Sequence, residues 1–166
     1  VDAPGGSRRM LDHFADETTI VPETMEMEGS LRYIFSQAFR SDARSNDSER
    51  VFIFANGKTL TLIDGNSAPE ATNRFDLCKD LLFYRSREEL VERLIHLGVD
   101  VSISSLGRFE EKIAFVIGAK YPDESVSQVW IDQKTFLPLR WMIHGVDPTG
   151  ESDILEIRYL IWCKTG

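Results

Sequence analysis

Val51-Phe52-Ile53-Phe54-Ala55-Asn56-Gly57-Lys58-Thr59-Leu60-Thr61-Leu62-Ile63 decides the fold class. Val51–Phe54 is aromatic and β-branched, which suits a pleated, half-buried surface. Asn56-Gly57 supplies the two left-handed residues that a tight hairpin needs, so the chain is expected to turn there and return along Thr59–Ile63. Asp64-Gly65-Asn66 closes the unit. Upstream, Ser41–Glu49 is a polar loop. Before it Leu31, Tyr33, Phe35 and Phe39 fall on odd positions, with Arg32, Ser36 and Arg40 on even ones. That period of two marks a strand with one apolar face, half-exposed to water. Thr18–Glu28 reads as an earlier strand run, interrupted by Gly29-Ser30. Residues 5–17 carry Met10, Leu11 and Phe14 at helical spacing behind a capping Ser7.

Downstream the period changes. Leu77, Leu81 and Leu82 open a helix over 77–84. Ser86 and Glu89 have the form of a capping box ahead of Leu90, Val91, Leu94, Ile95 and Leu97, and Gly98 ends that second helix. Five strands follow: Val99–Ser105, Lys112–Ala119, Ser127–Asp132, Leu137–His144 and Ile154–Cys163. Turns are expected at Gly107-Arg108, Tyr121-Pro122-Asp123, Asp132-Gln133-Lys134 and Asp147-Pro148-Thr149-Gly150. Short connections imply antiparallel neighbours. The expected class is α+β: a curled antiparallel sheet, an unclosed half-barrel of about nine to eleven strands, with helices covering its concave face.

The 166 residues, 42% hydrophobic and 28% charged, fit one folded domain over 1–166. Val1–Gly6 reads as a processed beginning. The strand-like Ile154–Cys163 lies so close to Gly166 that the natural chain is expected to continue. Acidic residues number 27 against 19 basic, a net charge of −8, which excludes a nucleic-acid partner held by a basic surface. No apolar run approaches the ~20 residues of a membrane-spanning helix.

Catalytic and metal chemistry find little support. His13, His96 and His144 lack metal spacing, and neither HExxH, CxxC nor G-x-S-x-G is present. Ser102, Ser104 and Ser105 sit at a strand edge, while Glu110-Glu111 and Asp123-Glu124 are acids at turns, where solvation is the ordinary outcome. The expectation is no enzyme, no cofactor and no metal. Cys78 and Cys163 are either one disulfide, in an oxidising compartment, or two small core residues.

Apolar surface remains. With 10 Phe, 3 Trp and 4 Tyr, several on strand faces, the sheet either packs a solid core or lines a ligand cavity, and alternation cannot separate the two. The candidate ligand-binding residues are Leu31, Tyr33, Phe35, Phe54, Leu60, Leu62, Leu90, Leu94, Phe115 and Trp141. Leu31, Tyr33, Phe35, Leu60 and Leu62 are expected on the concave face, and Leu90, Leu94 and Leu97 on the sheet-facing side of the second helix.

Several motifs occur in an order that resembles a known family. Asn56-Gly57-Lys58-Thr59-Leu60 with Asp64 looks like the hairpin of the periplasmic lipoprotein carriers, the LolA-like family. Gly29-x-Leu31 leading to Phe39-Arg40 is similar to the preceding strand pair. Val129-Trp130-Ile131-Asp132, Thr135 and Leu137-Pro138-Leu139-Arg140 resemble outer-membrane lipoprotein-sorting proteins. The likeness runs over roughly residues 8–163. It implies an unclosed barrel of eleven or so strands, a helical lid over a hydrophobic cavity, and export to the periplasm. The implied function is a monomeric carrier or chaperone for acyl chains of lipoproteins or other lipids, exchanging them between membrane-bound donor and acceptor proteins. One departure stands out: where the family places an arginine before a proline to hold the lid, this chain has Phe35 and Ser36. The alternatives are an envelope-stress sensor on the same fold, or an interaction domain with a filled core that binds a partner by strand addition.

Overall fold

The computed structural model describes residues 2–3, 26–34, 37–69, 74–146 and 149–163. The deciding hairpin forms as its sequence requires. Strands β4 (Glu49–Ala55) and β5 (Lys58–Ile63) meet at Ala55↔Lys58, with Asn56 and Gly57 at φ 53° and 74°. Two left-handed residues in succession give the turn whose twist matches that of the strands. Around this hairpin stand β2 (Met27–Ile34), β3 (Ala38–Arg44) and the two-residue β6 (Asn66–Ser67), in the order β6-β5-β4-β3-β2. A second set, β11-β10-β9-β8-β7, is built from β7 (Ser104–Phe109), β8 (Lys112–Ile117), β9 (Gln128–Asp132), β10 (Pro138–Val146) and β11 (Ser152–Arg158). Every pairing is antiparallel.

This corrects the α+β expectation. The protein is mostly β, 49% strand against 12% helix, and the described residues form two five-stranded antiparallel sheets with two short helices, in place of a helix-covered curled sheet of nine to eleven strands. Among the described residues, backbone pairing passes from one sheet to the other only through β1 (Asp2–Ala3), which joins β2 at Asp2↔Glu28 and Ala3↔Met27 and β11 at Asp2↔Arg158. Two residues of ladder are too little to make one continuous sheet of the two halves.

The helices also differ from expectation. The segment read as α-helix 77–84 is a 3₁₀ helix, Arg74–Leu81. Helix α1 (Arg87–His96) has the expected cap: the Ser86 hydroxyl accepts the Glu89 N–H at 3.1 Å, and Gly98 follows its end at φ 82°. Arg93 links the two helices, donating to Asp80 at 2.9 Å and to Glu89 at 2.6 Å. Among the described residues no helix is long and apolar enough to cross a membrane.

In the second half, Val99–Ile103 forms turns rather than a strand. Strand β7 runs straight through Gly107-Arg108, the expected bend, and the reversal comes at Glu110, at φ 54°. Strand β11 stops at Arg158, short of the expected Cys163. The expected helix 5–17 and most of the run Thr18–Glu28 lie outside the described residues.

One core serves both sheets. Phe39 and Phe52 from the first sheet pack with Trp141, Leu155 and Ile157 from the second, together with Cys78, Leu81, Leu82, Phe83 and Leu94 from the helical region. Leu90 and Leu97 lean on its margin. A smaller cluster, Ala114, Val116, Ala119, Trp130 and Leu139, fills the opposite face of the second sheet.

Candidate functional site

Strand alternation decides which side chains can form a site. Across β2, β3, β4 and β5 the rows Tyr33–Phe39–Phe54–Thr59 and Leu31–Ser41–Phe52–Thr61 are in register. Residues in such rows share a face. The inner face is thus carried by odd residues on β2, β3 and β5 and by even residues on β4. Leu31 and Tyr33 lie on the face expected of them, packed against the shared core, and Phe54, whose direction alternation left open, joins them there.

Leu60 and Leu62 do not. They pair with Ile53 and Val51 on the outer face, where Leu60 is 42% exposed, while Thr61 is buried on the inner face and Thr59, on that same face, is exposed at the end of the strand. The two-residue turn forces this result: with Phe54 inward, Thr59 opposite it must be inward as well. Phe35 lies outside the described residues.

Leu90 and Leu94 face the core from α1, and Trp141, 1% exposed, is wholly interior. Phe115 is half-buried and stacks on exposed Phe136. The candidate residues therefore do not converge on one cavity. Around Phe54 the interior is filled by aromatic rings meeting edge to face: Phe39–Phe52, Phe39–Phe83 and Phe54–Phe83, with centroids 5.8–6.2 Å apart. This is the geometry ring quadrupoles favour in a packed core.

Open space lies elsewhere. A groove of about 590 Å³ follows the tip of β2–β3 and the chain beyond β11. Leu31, Tyr33, Ile34 and Phe39 line one wall, and Ile161, Trp162 and Cys163 the other. After Arg158 the chain hugs the start of β10: the Tyr159 N–H donates to the Leu139 carbonyl at 2.8 Å, and Trp162 Nε1–H donates to the Pro138 carbonyl at 2.7 Å. Trp162 stacks on Tyr159 and meets Tyr33 edge-on, with centroids 6.0 Å apart, so two rings bridge from wall to wall. Ile34 and Ile161 are 60% and 79% exposed, unusual for isoleucine.

The outer rim is cationic. Arg32 stands directly across from Arg40, and both line the groove. The Arg40 guanidinium clasps Asp42 at 2.6–3.0 Å, and that hydrogen-bonded carboxylate pushes its pKa up. Sequence reasoning misses Ile34, Arg32, Ile161 and Trp162. The run Leu160-Ile161-Trp162 is legible as apolar, but its alternation-free pattern places it inside a strand.

The interior is polar in places. Arg50 and Asp76 form a buried bidentate pair, both bonds 2.8 Å, which ties the 3₁₀ helix to β4. The Tyr159 hydroxyl lies beside the Cys78 thiol, and among the described residues neither that hydroxyl nor Trp141 Nε1 meets a hydrogen-bond partner in good geometry. Burial pushes the Cys78 thiol up to about 12, and burial together with that thiol raises Tyr159. Cys78 is buried and Cys163 exposed, and both are free thiols, so the disulfide alternative is excluded. Among the described residues no group of three metal-ligating side chains comes together. Compared with family models, curated proteins and solved structures, the chain matches none.

Proposed function

We propose that this protein binds one apolar chain, such as an acyl chain, in the groove between β2–β3 and residues 161–163, and acts as a carrier or chaperone for it. The observation that supports the reading is the groove itself: about 590 Å³, with Leu31, Tyr33, Phe39, Ile161 and Trp162 around it. Ligand sites of roughly 300–1,000 Å³ with mainly apolar and aromatic walls are the usual form of small-molecule pockets. Each methylene transferred there contributes about 0.8 kcal/mol, so a long chain needs no ionic contact to be held. The resemblance to periplasmic lipoprotein carriers supplies the matching cargo, acyl chains of lipoproteins or lipids, and a bacterial envelope location. The cavity under the helices, where a family lid would act, is not part of this proposal, because ring packing fills that region.

The test is binding of a neutral long-chain alkyl probe. Ile161→Asp should weaken it about tenfold or more, since a carboxylate in an apolar groove must stay hydrated. Ile161 is exposed, so the variant is expected to fold. The probe should also slow alkylation of Cys163, whereas Cys78, buried and with a raised pKa, stays unreactive at neutral pH. Binding unaffected by Ile161→Asp, or no binding at all, defeats the reading.

A further inference from the structure

The charge around the groove is of one sign. Among the described residues that line it, the charged side chains are Arg32 and Arg40, and no carboxylate joins them. The chain as a whole has 27 acidic residues against 19 basic, so this rim runs against the composition. The two arginines also differ in their freedom. They face each other across the β2–β3 ladder, where like charges repel. Arg40 is engaged, clasping Asp42 at 2.6–3.0 Å. Arg32 is exposed and forms no ion pair among the described residues.

Arg32, Arg40 and Asp42 share the outer face of the sheet, because Arg32 is opposite Arg40 and Asp42 follows two positions on. Two positive charges and one negative leave the rim with a single positive charge. An arginine at such a boundary lays its alkyl stem along apolar surface and keeps its guanidinium in water. Its planar fork matches a carboxylate through two parallel hydrogen bonds. One negative charge neutralises the rim, whereas a dianion overcharges it. The net charge of −8 disfavours anions over the rest of the surface, so the attraction is local to this rim.

We propose that the ligand of the groove is an alkyl carboxylate, a fatty-acid-like monoanion, with its tail along Leu31, Tyr33, Ile161 and Trp162 and its ionised head on Arg32. This rests on the apolar-chain reading and names the substrate class within it. The tail supplies most of the affinity. The head selects a monoanion over neutral, cationic and dianionic chains of equal length.

The test compares decanoate, decanol, decylamine and decyl phosphate on the full chain, each below its micelle concentration at mildly alkaline pH, by displacement of the neutral alkyl probe. Decanoate should bind about threefold or more tighter than decanol. Decylamine should bind more weakly than decanol, and decyl phosphate no more tightly than decanoate. The ratio of decanoate to decanol affinity should shrink at high salt, because the rim is exposed. Arg32→Gln should bring that ratio to about one. Arg32→Glu should reverse the preference towards decylamine, and Asp42→Asn, which frees Arg40, should widen the ratio. Equal binding of decanoate and decanol, or a ratio that survives Arg32→Gln, overturns the proposal while the alkyl probe still upholds the carrier reading. Decyl phosphate held about tenfold or more tighter than decanoate also overturns it and makes a phosphate head the ligand's own. If the alkyl probe does not bind, or every affinity ignores Ile161→Asp, the carrier reading falls and the carboxylate assignment falls with it.

Discussion

The two sheets treat their outer faces differently. In the first, the side away from the shared core holds Arg32, Arg40, Asp42 and the half-exposed Ile53 and Leu62, with Leu60 in solvent. In the second, that side carries a further apolar cluster, and Arg140 lies over the rings of Trp130 and Phe109 while bound to Glu124 and Glu156 at 2.6 Å. Gln128 completes it: its amide donates to the carbonyls of Asp123 and Val126 and accepts from Trp130 Nε1. Strands β9 and β10 are thus buried on both faces, whereas β2–β5 are buried on one. The second sheet is enclosed on both faces along β9 and β10, whereas the first keeps one face open to solvent.

The sharpest way to break this contrast is Trp130→Ala. Loss of a fully enclosed indole should cost about 3–5 kcal/mol, read as a fall in the denaturant midpoint, whereas Ile53→Ala on the corresponding face of the first sheet should cost about 1 kcal/mol. Equal losses would make the asymmetry superficial. Asp76→Ala comes next. It leaves Arg50 buried without its partner, at about 3 kcal/mol, and amide exchange should accelerate first in the 3₁₀ helix Arg74–Leu81.

Gly118→Ala should cost about 1–3 kcal/mol, because Gly118 sits at φ 103° and an added Cβ would lie 2.5 Å from the Ser127 carbonyl oxygen. Thermal unfolding measures it. For pH, the Arg140 guanidinium beside Glu124 holds that carboxyl below its ordinary range. A depressed folded-state pKa stabilises above the unfolded value, and the benefit disappears as pH falls through the folded one. Glu124→Gln should therefore flatten the decline in stability on acidification, by a modest amount since Glu124 is half exposed. The smallest effect is Leu60→Thr, expected within about 0.5 kcal/mol of zero. A loss of 2 kcal/mol or so would mean that its face is covered after all.

The same asymmetry explains what the sequence reveals. Alternation is informative where one face is wet, and it places Leu31, Tyr33 and Phe39 inward on that signal alone. The Asn56-Gly57 hairpin and the Ser86 cap are legible because their chemistry is local. Leu60 and Leu62 are misplaced because their own alternation is clear but its phase is set across the turn by Phe54, itself in a run apolar on both faces. In the second sheet Val129-Trp130-Ile131 and Leu139–Ile143 announce strands without saying which side is which. The groove is not legible at all. Its two walls, β2–β3 and residues 161–163, come from opposite ends of the chain and meet only in the folded protein.

Trp162 gives the cleft an optical signature of its own. Trp130 and Trp141 are 2% and 1% exposed, shielded from quenchers and insensitive to events at the surface. Trp162 is half-buried, lines the groove and stacks on Tyr159. Selective red-edge excitation and acrylamide quenching of the native protein would therefore report on one indole against two silent ones. A blue shift on filling the groove would mark occupancy without any introduced dye, and the two interior indoles would serve as the internal standard.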